Sequence, residues 1–468
     1  MIGFKQGSGK TLRWGRALIQ RRISAGADHL LPQRWNWYGL VRPLDHSLVR
    51  QAHEPLQAGS LRSLRYFWLD GLFAAISENF YLGYVALFAL AYNASNSQVG
   101  LLAAATNLLG MLALFPGAQL VDRTGRRKNV VIWSGGILSR VALLGLALIP
   151  TLIGQPAVAI MAIVVVNSLR SFFANLANPG WTALVADLVP ETMRGRFFAS
   201  RNMAMGLAAL VVAPLAGQVI LAANARLESL FAGYQAIFVL AFLFGMVSTV
   251  AFQQIQEPKP AEAAHPAHQR GDLRRALRRS TGFFGLVISA LVWNMALQVA
   301  APFFNVYLVS QFQATPLTIG ILAGVATFTA LIGQRVFGRL LDRKGAFWVQ
   351  TLTGLLIPLA PLAWAFITAP WQVGLINVFS GFLWAGYNLS NFNLLLRLTP
   401  DEQRPRAVAL FQTAVFGSAV VGPILGGFLA DTIGFRYIFG ISSAGRYVGT
   451  ALFILLTIRP LWALKEKQ

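Results

Sequence analysis

The 468-residue chain has no cysteine. This excludes disulfides, thiolate metal sites and a cysteine nucleophile, and leaves the redox compartment open. Charge is scarce: Asp, Glu, Lys and Arg together make up 12% of residues, against roughly a quarter in an ordinary soluble domain. Acids are scarcest, 17 Asp+Glu against 39 Lys+Arg, for a formal charge of +22. The five histidines, His29, His46, His53, His265 and His268, all fall outside the apolar runs, so no histidine metal site is expected within a membrane. No nucleotide loop is complete either. Gly7-Ser8-Gly9-Lys10-Thr11 matches only the end of a phosphate loop, with Phe4 at its first glycine position and no strand before it. What abounds is apolar sequence, 56% of the chain, more than a soluble core could hide. The class is an integral membrane protein.

A helix crossing a bilayer needs about 20 apolar residues. Thr281 to Gln334 and Gly345 to Leu396 each hold no Asp, Glu, Lys or Arg, and each accommodates two spans. Barrel strands would alternate every two residues, which these runs do not. The pattern predicts an all-α protein of twelve transmembrane helices. The first six lie near 66–92, 97–121, 129–150, 156–188, 197–221 and 230–252. The second six lie near 282–310, 316–341, 347–368, 371–397, 406–430 and 436–458.

Placing the N-terminus in the cytoplasm puts 33 of the 39 basic residues in or beside cytoplasmic segments. Only Arg226 and Arg436 fall on the other side, and Arg140, Arg170, Arg335 and Arg446 lie inside spans. This positive-inside asymmetry puts both termini in the cytoplasm of a multi-pass protein in the plasma (inner) membrane. The basic excess therefore reports orientation and lipid headgroups, and no nucleic-acid partner is expected. Residues 1–65 form a basic N-terminal extension without a signal peptide. Within it, Thr11 to Ala25 is either an interfacial amphipathic helix or a disordered arm.

The chain repeats itself. Gln98 to Gly125 aligns without gaps on Thr318 to Gly345, and Asp122-Arg123-Thr124-Gly125 matches Asp342-Arg343-Lys344-Gly345. The segment from Pro190 to Arg196 matches that from Pro400 to Arg406, and the same shift superposes Asn167 on Asn377 and Asn178 on Asn388. Ala213-Pro214-Leu215-Ala216-Gly217 parallels Gly422-Pro423-Ile424-Leu425-Gly426. The shift spans an even number of helices, so the chain reads as two parallel six-helix halves, 66–252 and 281–458. A cytoplasmic linker, 253–280, joins them, and a tail, 459–468, follows. The linker's His265 and His268 read as solvated rather than as a metal pair.

These features resemble the major facilitator superfamily of secondary transporters, whose hallmark is a G-x-L-x-D-R-x-G-R-R/K loop after the second helix, echoed after the eighth. Gly338-Arg339-Leu340-Leu341-Asp342-Arg343-Lys344-Gly345 fits its core. Ala118-Gln119-Leu120-Val121-Asp122-Arg123-Thr124-Gly125-Arg126-Arg127-Lys128 has alanine at the leading glycine. The resemblance covers residues 66 to 458 and implies a fold of two pseudo-symmetric six-helix bundles, a monomer, and alternating access without a cofactor. Each loop Asp can sit against the positive end of a helix in the other half, Asp122 near Arg406 and Asp342 near Arg196. Such contacts form only with the cytoplasmic side closed. Arg123, Gly125, Arg126, Gly338, Arg343 and Gly345 complete the gating loops.

Charges inside the spans carry the functional expectation, since a buried ion needs a role or a partner. Asp70 is placed near the cytoplasmic end of the first helix, within reach of water, and Glu78 near its middle. Eight residues separate them, about 80° around and ~12 Å along a helix. Desolvation at the midplane favours the neutral carboxyl, so Glu78 and Asp70 are the candidate proton carriers; the alternative for Glu78 is an ion pair with Arg140 or Arg170. Arg170 shares a face with Asn167 and Asn178, and the family's drug:proton antiporters commonly carry an arginine in this helix. Asn377, Trp384 and Asn388 form the equivalent face of the tenth span. Asn294 and Gln298 line the seventh, Gln298 being the repeat equivalent of Glu78, and Asn107 adds to the second. As a set they predict a polar cavity between the halves; singly, each amide could be inter-helical glue.

Two functions follow. One is proton-coupled export of a small, largely apolar compound, driven by the proton gradient. The other is uptake or exchange of an organic anion at Arg140 and Arg170, because guanidinium forks bind carboxylate and phosphate. A membrane-embedded enzyme or sensor is the remote third. The partners expected are the bilayer, protons and a small-molecule substrate. Arg446, mid-way along the twelfth span, fits none of these roles except pairing with a neighbour.

Overall fold

The computed structural model describes residues 58–257, 281–398 and 404–465. The N-terminal arm through residue 57, the linker from 258 to 280 with His265 and His268, and the Arg406 side chain lie outside the described residues. The described chain is helical, without a strand. Eleven helices are long and apolar enough to cross a membrane. In the first half they are α1 (Leu61–Ala91), α2 (Asn96–Thr124), α3 (Arg127–Leu152), α4 (Pro156–Leu188), α5 (Met193–Leu227) and α6 (Ala232–Gln253). The second half has α7 (Gly282–Phe312), α8 (Pro316–Lys344), α9 (Ala346–Trp364), α11 (Leu410–Thr432) and α12 (Phe435–Thr457). Between them α10 (Pro370–Arg397) has 28 residues, ample length for a span. Its Asn377, Ser380, Asn388, Ser390, Asn391 and Asn393 dilute its apolar character.

Local chemistry sets the ends and breaks. Ser95 caps α2 by accepting the Gln98 N–H, and Thr315 does the same for α8 through Thr318. Pro156 and Pro316 occupy first helical positions, where a missing N–H costs nothing. Gly125 ends α2 with φ of 62°, a left-handed turn that favours glycine. α1 breaks between Tyr81 and Val85, at Gly83, and α7 breaks at the matching place, between Ala300 and Phe303, at Pro302. Val131–Leu138 of α3 is wound as a π-helix, a widening often found at functional sites.

The internal repeat appears in the contacts. Thr249 of α6 donates to the Gly136 carbonyl of α3 at 3.0 Å, and Thr450 of α12 donates to the Gly354 carbonyl of α9 at 2.9 Å. The halves meet through α2 with α11 and α5 with α8. At those crossings Gly100 faces the Pro423 carbonyl and Gly320 the Ala213 carbonyl, while Gly217 and Gly427 abut the starts of α8 and α2. The Pro/Gly pattern of the fifth and eleventh spans is thus what lets backbones touch across the halves. These crossings lie at the end opposite the loops 122–127 and 342–346, which we call the basic end.

Candidate functional site

A cavity of about 350 Å³ lies inside the first half, walled by α1, α3, α4, α5 and α6. Its polar groups come from apolar helices, so each needs a reason to be there. Asp70 of α1 is 8% exposed, deeper than its place near the helix end suggests. It accepts the Ser248 hydroxyl at 2.7 Å and stands 3.6 Å from Nη2 of Arg201. Arg201 donates from Nε to the Phe67 carbonyl at 3.3 Å and lies over the Phe67 ring, 4.6 Å from its centroid. Gly71 faces this guanidinium directly, and a methyl group there would collide with it.

Two turns along α1, Glu78 is exposed on the cavity wall. No ion pair joins it to Arg140 or Arg170, in contrast to the structural pairing considered for it. Arg140 instead donates from Nη1 to Ser77 at 3.1 Å, and Ser77 donates to the Ala241 carbonyl at 2.6 Å. Gly245 leaves the room in which the Arg140 side chain lies. Arg170 donates to Tyr81 at 2.7 Å and to Asn167 at 3.1 Å, and Asn167 donates to Thr106 of α2 at 2.9 Å. The guanidinium also sits 4.7 Å from the Tyr81 ring centroid. Arg170 is thereby fixed by three helices before any ligand enters. The cavity wall carries two carboxylates and three guanidiniums, and Asn178 lies at its edge.

The structure therefore brings Asp70, Glu78, Arg140, Arg170 and Asn178 together, with Asn167 behind them, but on one half rather than between the two. The other predicted lining residues are occupied elsewhere. Asn107 donates to Ala103 and, across the halves, to the Ala419 carbonyl at 3.2 Å. Asn294 donates to Ala290 of its own helix, and Asn377 donates to Leu322 of α8 at 2.9 Å. Gln298 packs on Gly422 of α11, Trp384 meets Trp293 edge-on, and Asn388 is exposed. The amides of Asn107 and Asn377, satisfied by carbonyls of other helices, join those helices, as the glue reading has it.

Arg201 escaped sequence reasoning because it lies near the start of its span and reads as one more cytoplasmic charge. Its position about three helical turns after Pro190 was the available signal. Ser77, Tyr81 and Ser248 carried no signal, being ordinary polar residues in apolar helices.

The loop residues behave differently. Asp122, Arg123, Gly125, Arg126, Arg196, Asp342 and Arg343 are exposed, and Gly338 and Gly345 half-exposed. No ion pair joins Asp342 to Arg196. Nearby, Arg127 binds Asp187 at 2.6 Å and Glu257 at 3.4 Å, tying α3 to α4 and to the segment after α6. At the opposite end the halves are latched: Asp431 accepts from Asn96 at 2.8 Å and from the Ser97 backbone and hydroxyl at 2.9 and 2.5 Å. The molecule is thus joined at the end remote from the basic loops, and among the described residues Asp342 does not make the loop-to-helix contact expected of a closed basic end; the Arg406 side of the other contact lies outside them.

Comparison with known proteins agrees with this architecture. The sequence pattern of the Major Facilitator Superfamily matches residues 67–396 and 283–467. A multi-drug resistance efflux pump PmrA homolog of Lactococcus lactis is 23% identical over 410 residues, covering 86% of this chain and 94% of the relative. The multi-drug resistance efflux pump PmrA of Streptococcus pneumoniae is 23% identical over 414 residues, covering 86% and 98%. The multidrug resistance protein MdtG of Citrobacter koseri is 23% identical over 410 residues, covering 85% and 95%. A bacterial homolog of the human lysosomal transporter Spinster, inward-facing and unoccupied, superposes with a TM-score of 0.67 at 13% identity, covering 87% of this chain and 98% of its own. A bacterial homologue of the iron transporter ferroportin, inward-facing, superposes at 0.63 with 20% identity, covering 85% and 99%.

Proposed function

The chain belongs to the major facilitator superfamily, and from that premise we propose that it exports small, largely apolar compounds from the cell in exchange for protons. It is a secondary transporter of small molecules in a lipid bilayer, not an enzyme. Relatives described as multidrug efflux pumps across nearly their whole length support the export direction. We take the basic end as cytoplasmic, with both termini there, in the plasma membrane, and the chain as a monomer. The conformation described above is then open to the cytoplasm.

The observation that carries the coupling is the placement of Asp70 and Glu78 on one cavity with different partners. Glu78 is exposed on the wall and accessible to a proton or a ligand. Asp70 is buried, and its ionised form is held by Ser248 and Arg201. Protonating Asp70 removes its attraction for Arg201 and so loosens one of the links between α1 and α5, the Phe67 contacts of Arg201 remaining. Because α5 packs on α8 of the other half, that release acts where the halves meet. A compound entering from the cytoplasm competes with protons for the cavity that Asp70 and Glu78 share, and protons from outside reset it after export.

An anion reading has its own support: three guanidiniums face two carboxylates, and Nε of Arg140 has no hydrogen-bond partner. The two separate in proteoliposomes given a pH jump and a panel of lipophilic dyes and organic anions. In Glu78→Gln, dye movement driven by the pH gradient falls at least tenfold while dye binding persists. Unchanged pH-driven movement in Glu78→Gln discards the coupling assignment. Selective loss of anion movement in Arg170→Ala transfers the assignment to the anion reading.

A further inference from the structure

The bend of α1 connects the cavity to the place where the halves touch. Residues 82–84 form a turn between the helical stretch that ends at Tyr81 and the one that starts at Val85. Backbone bonds carry through it. The Leu82 N–H donates to the Glu78 carbonyl at 2.9 Å, that of Tyr84 to Tyr81 at 2.9 Å, and that of Phe88 to Tyr84 at 2.8 Å. Leu82 and Gly83 are exposed, and no atom stands within 4 Å of where a Gly83 side chain would begin. The turn therefore has room to shift as a unit.

Its two tyrosines are buried and held in different places. Tyr81 accepts from Nη1 of Arg170, a cavity residue, at 2.7 Å. Tyr84, three residues on, reaches the other half. Its hydroxyl donates to the Ala213 carbonyl of α5 at 2.6 Å and stands 3.4 Å from the Pro316 carbonyl of α8. A methyl group on Gly320 of α8 would strike both that Ala213 carbonyl and the Tyr84 hydroxyl. Tyr84 thus sits at the α5–α8 crossing itself.

The repeat carries this arrangement in one half only. A shift of 220 takes Asp70, Glu78, Tyr81 and Tyr84 of α1 to Ala290, Gln298, Ala301 and Phe304 of α7. Every carboxyl and hydroxyl of the set is lost. Phe304 packs on Trp364 and Phe439 of its own half, at 4.7 and 5.0 Å between ring centroids. A tyrosine that served packing alone would be expected at both crossings. Here the acids, the acceptor for Arg170 and the crossing hydroxyl occur together on α1 and are absent together from α7.

We propose that Tyr84 is a positioning residue that carries the state of Arg170 to the α5–α8 crossing. While Arg170 holds Tyr81, the turn keeps the Tyr84 hydroxyl on Ala213 and the joined end stays shut. When a ligand of the cavity draws the guanidinium off Tyr81, the turn shifts, the hydroxyl withdraws and the crossing is free to part. That ligand step rests on the export reading of this cavity. The link itself does not, and it is tested without ligand or proton gradient.

The test uses the full-length, cysteine-free chain with spin labels on Ala225→Cys and Gln311→Cys, exposed on the two halves at the joined end. Tyr84→Phe removes the hydroxyl and keeps the ring. It raises the population of longer distances about fivefold, the effect of one hydrogen bond. Tyr81→Phe and Arg170→Ala raise the same population, and neither adds to Tyr84→Phe in a double variant. Tyr92→Phe is the control, because that buried hydroxyl has no partner, and it leaves the distances unchanged. Unchanged distances in Tyr84→Phe overturn the proposal. So do additive effects of Tyr81→Phe and Tyr84→Phe, which mark two separate contacts rather than one link. Should Arg170→Ala fail to fold, the two tyrosine variants and their double decide alone. Failure of the export reading has a different signature: unchanged pH-driven dye movement in Glu78→Gln, with these distance changes intact.

Discussion

Asp431, in the last turn of α11, accepts the backbone N–H of Ser97 at 2.9 Å, 334 residues earlier in the chain and in the first turn of α2. The carboxylate thus caps the positive end of a helix in the other half. Asp122 was expected to make the same kind of contact at the basic end. In the proposed alternating-access cycle the two sets of contacts take turns, one made when this end is joined, the other when the basic end is.

Asp431→Ala is therefore expected to favour the state closed at the basic end. The contact is solvent-exposed, so its contribution is small, about 1 kcal/mol, or roughly fivefold in the equilibrium. The chain has no cysteine, so spin labels on Asn93→Cys and Thr432→Cys report this end without competing sites. Their distance distribution gains a longer component in Asp431→Ala. An unaltered distribution removes the latch role.

Arg201 tests the buried pair in the cavity. Arg201→Gln leaves Asp70 without its cation and lowers stability by about 3–5 kcal/mol, as expected for one partner removed from a buried ion pair. Adding Asp70→Asn recovers most of that loss, because the uncompensated charge goes with it. The measurement is the unfolding midpoint of both single variants and the double variant. Additive losses in the double variant mean the two side chains do not interact.

Tyr81→Phe probes the positioning of Arg170. It removes the hydroxyl that accepts from Nη1 at 2.7 Å and leaves the ring beneath the guanidinium. The expected cost is about 1 kcal/mol. Dye or anion affinity measured by binding falls severalfold with little change in the amount of folded protein. Unchanged affinity for both ligand classes takes Arg170 out of the binding site.

Sequence legibility divided along physical lines. The spans and the two halves were readable because apolar length and the repeat are properties of contiguous residues. Glu78, Asp70 and Arg170 were readable because a charge is conspicuous in an apolar run. Arg201 was not, since its distinction is a contact with α1, and no local pattern records that. Asn107, Asn294 and Asn377, expected to line a cavity, bond carbonyls here, and an amide satisfied by a carbonyl looks, in sequence, the same as one facing a ligand.

The glycine crossings offer the most direct test of alternating access in this chain. Gly100 faces the Pro423 carbonyl and Gly320 the Ala213 carbonyl, one crossing for each pair of facing helices. The nearest atom on the far side is a backbone carbonyl in both cases, so a side chain at either glycine meets a group that cannot swing aside. Gly100→Val and Gly320→Val are expected to hold the halves apart at this end and to abolish transport. Each helix keeps its own hydrogen bonds, so the variants should fold, at a helix-propensity change of well under 1 kcal/mol. The labels at positions 93 and 432 then report separation in Gly100→Val, which lies on the α2–α11 crossing. Gly440→Ala, on α12 and away from the crossings, is the control, because open space surrounds that glycine, and its transport stays near wild type. If Gly100→Val transports normally, the crossings do not set the conformational cycle, and helix packing within each half must set it instead.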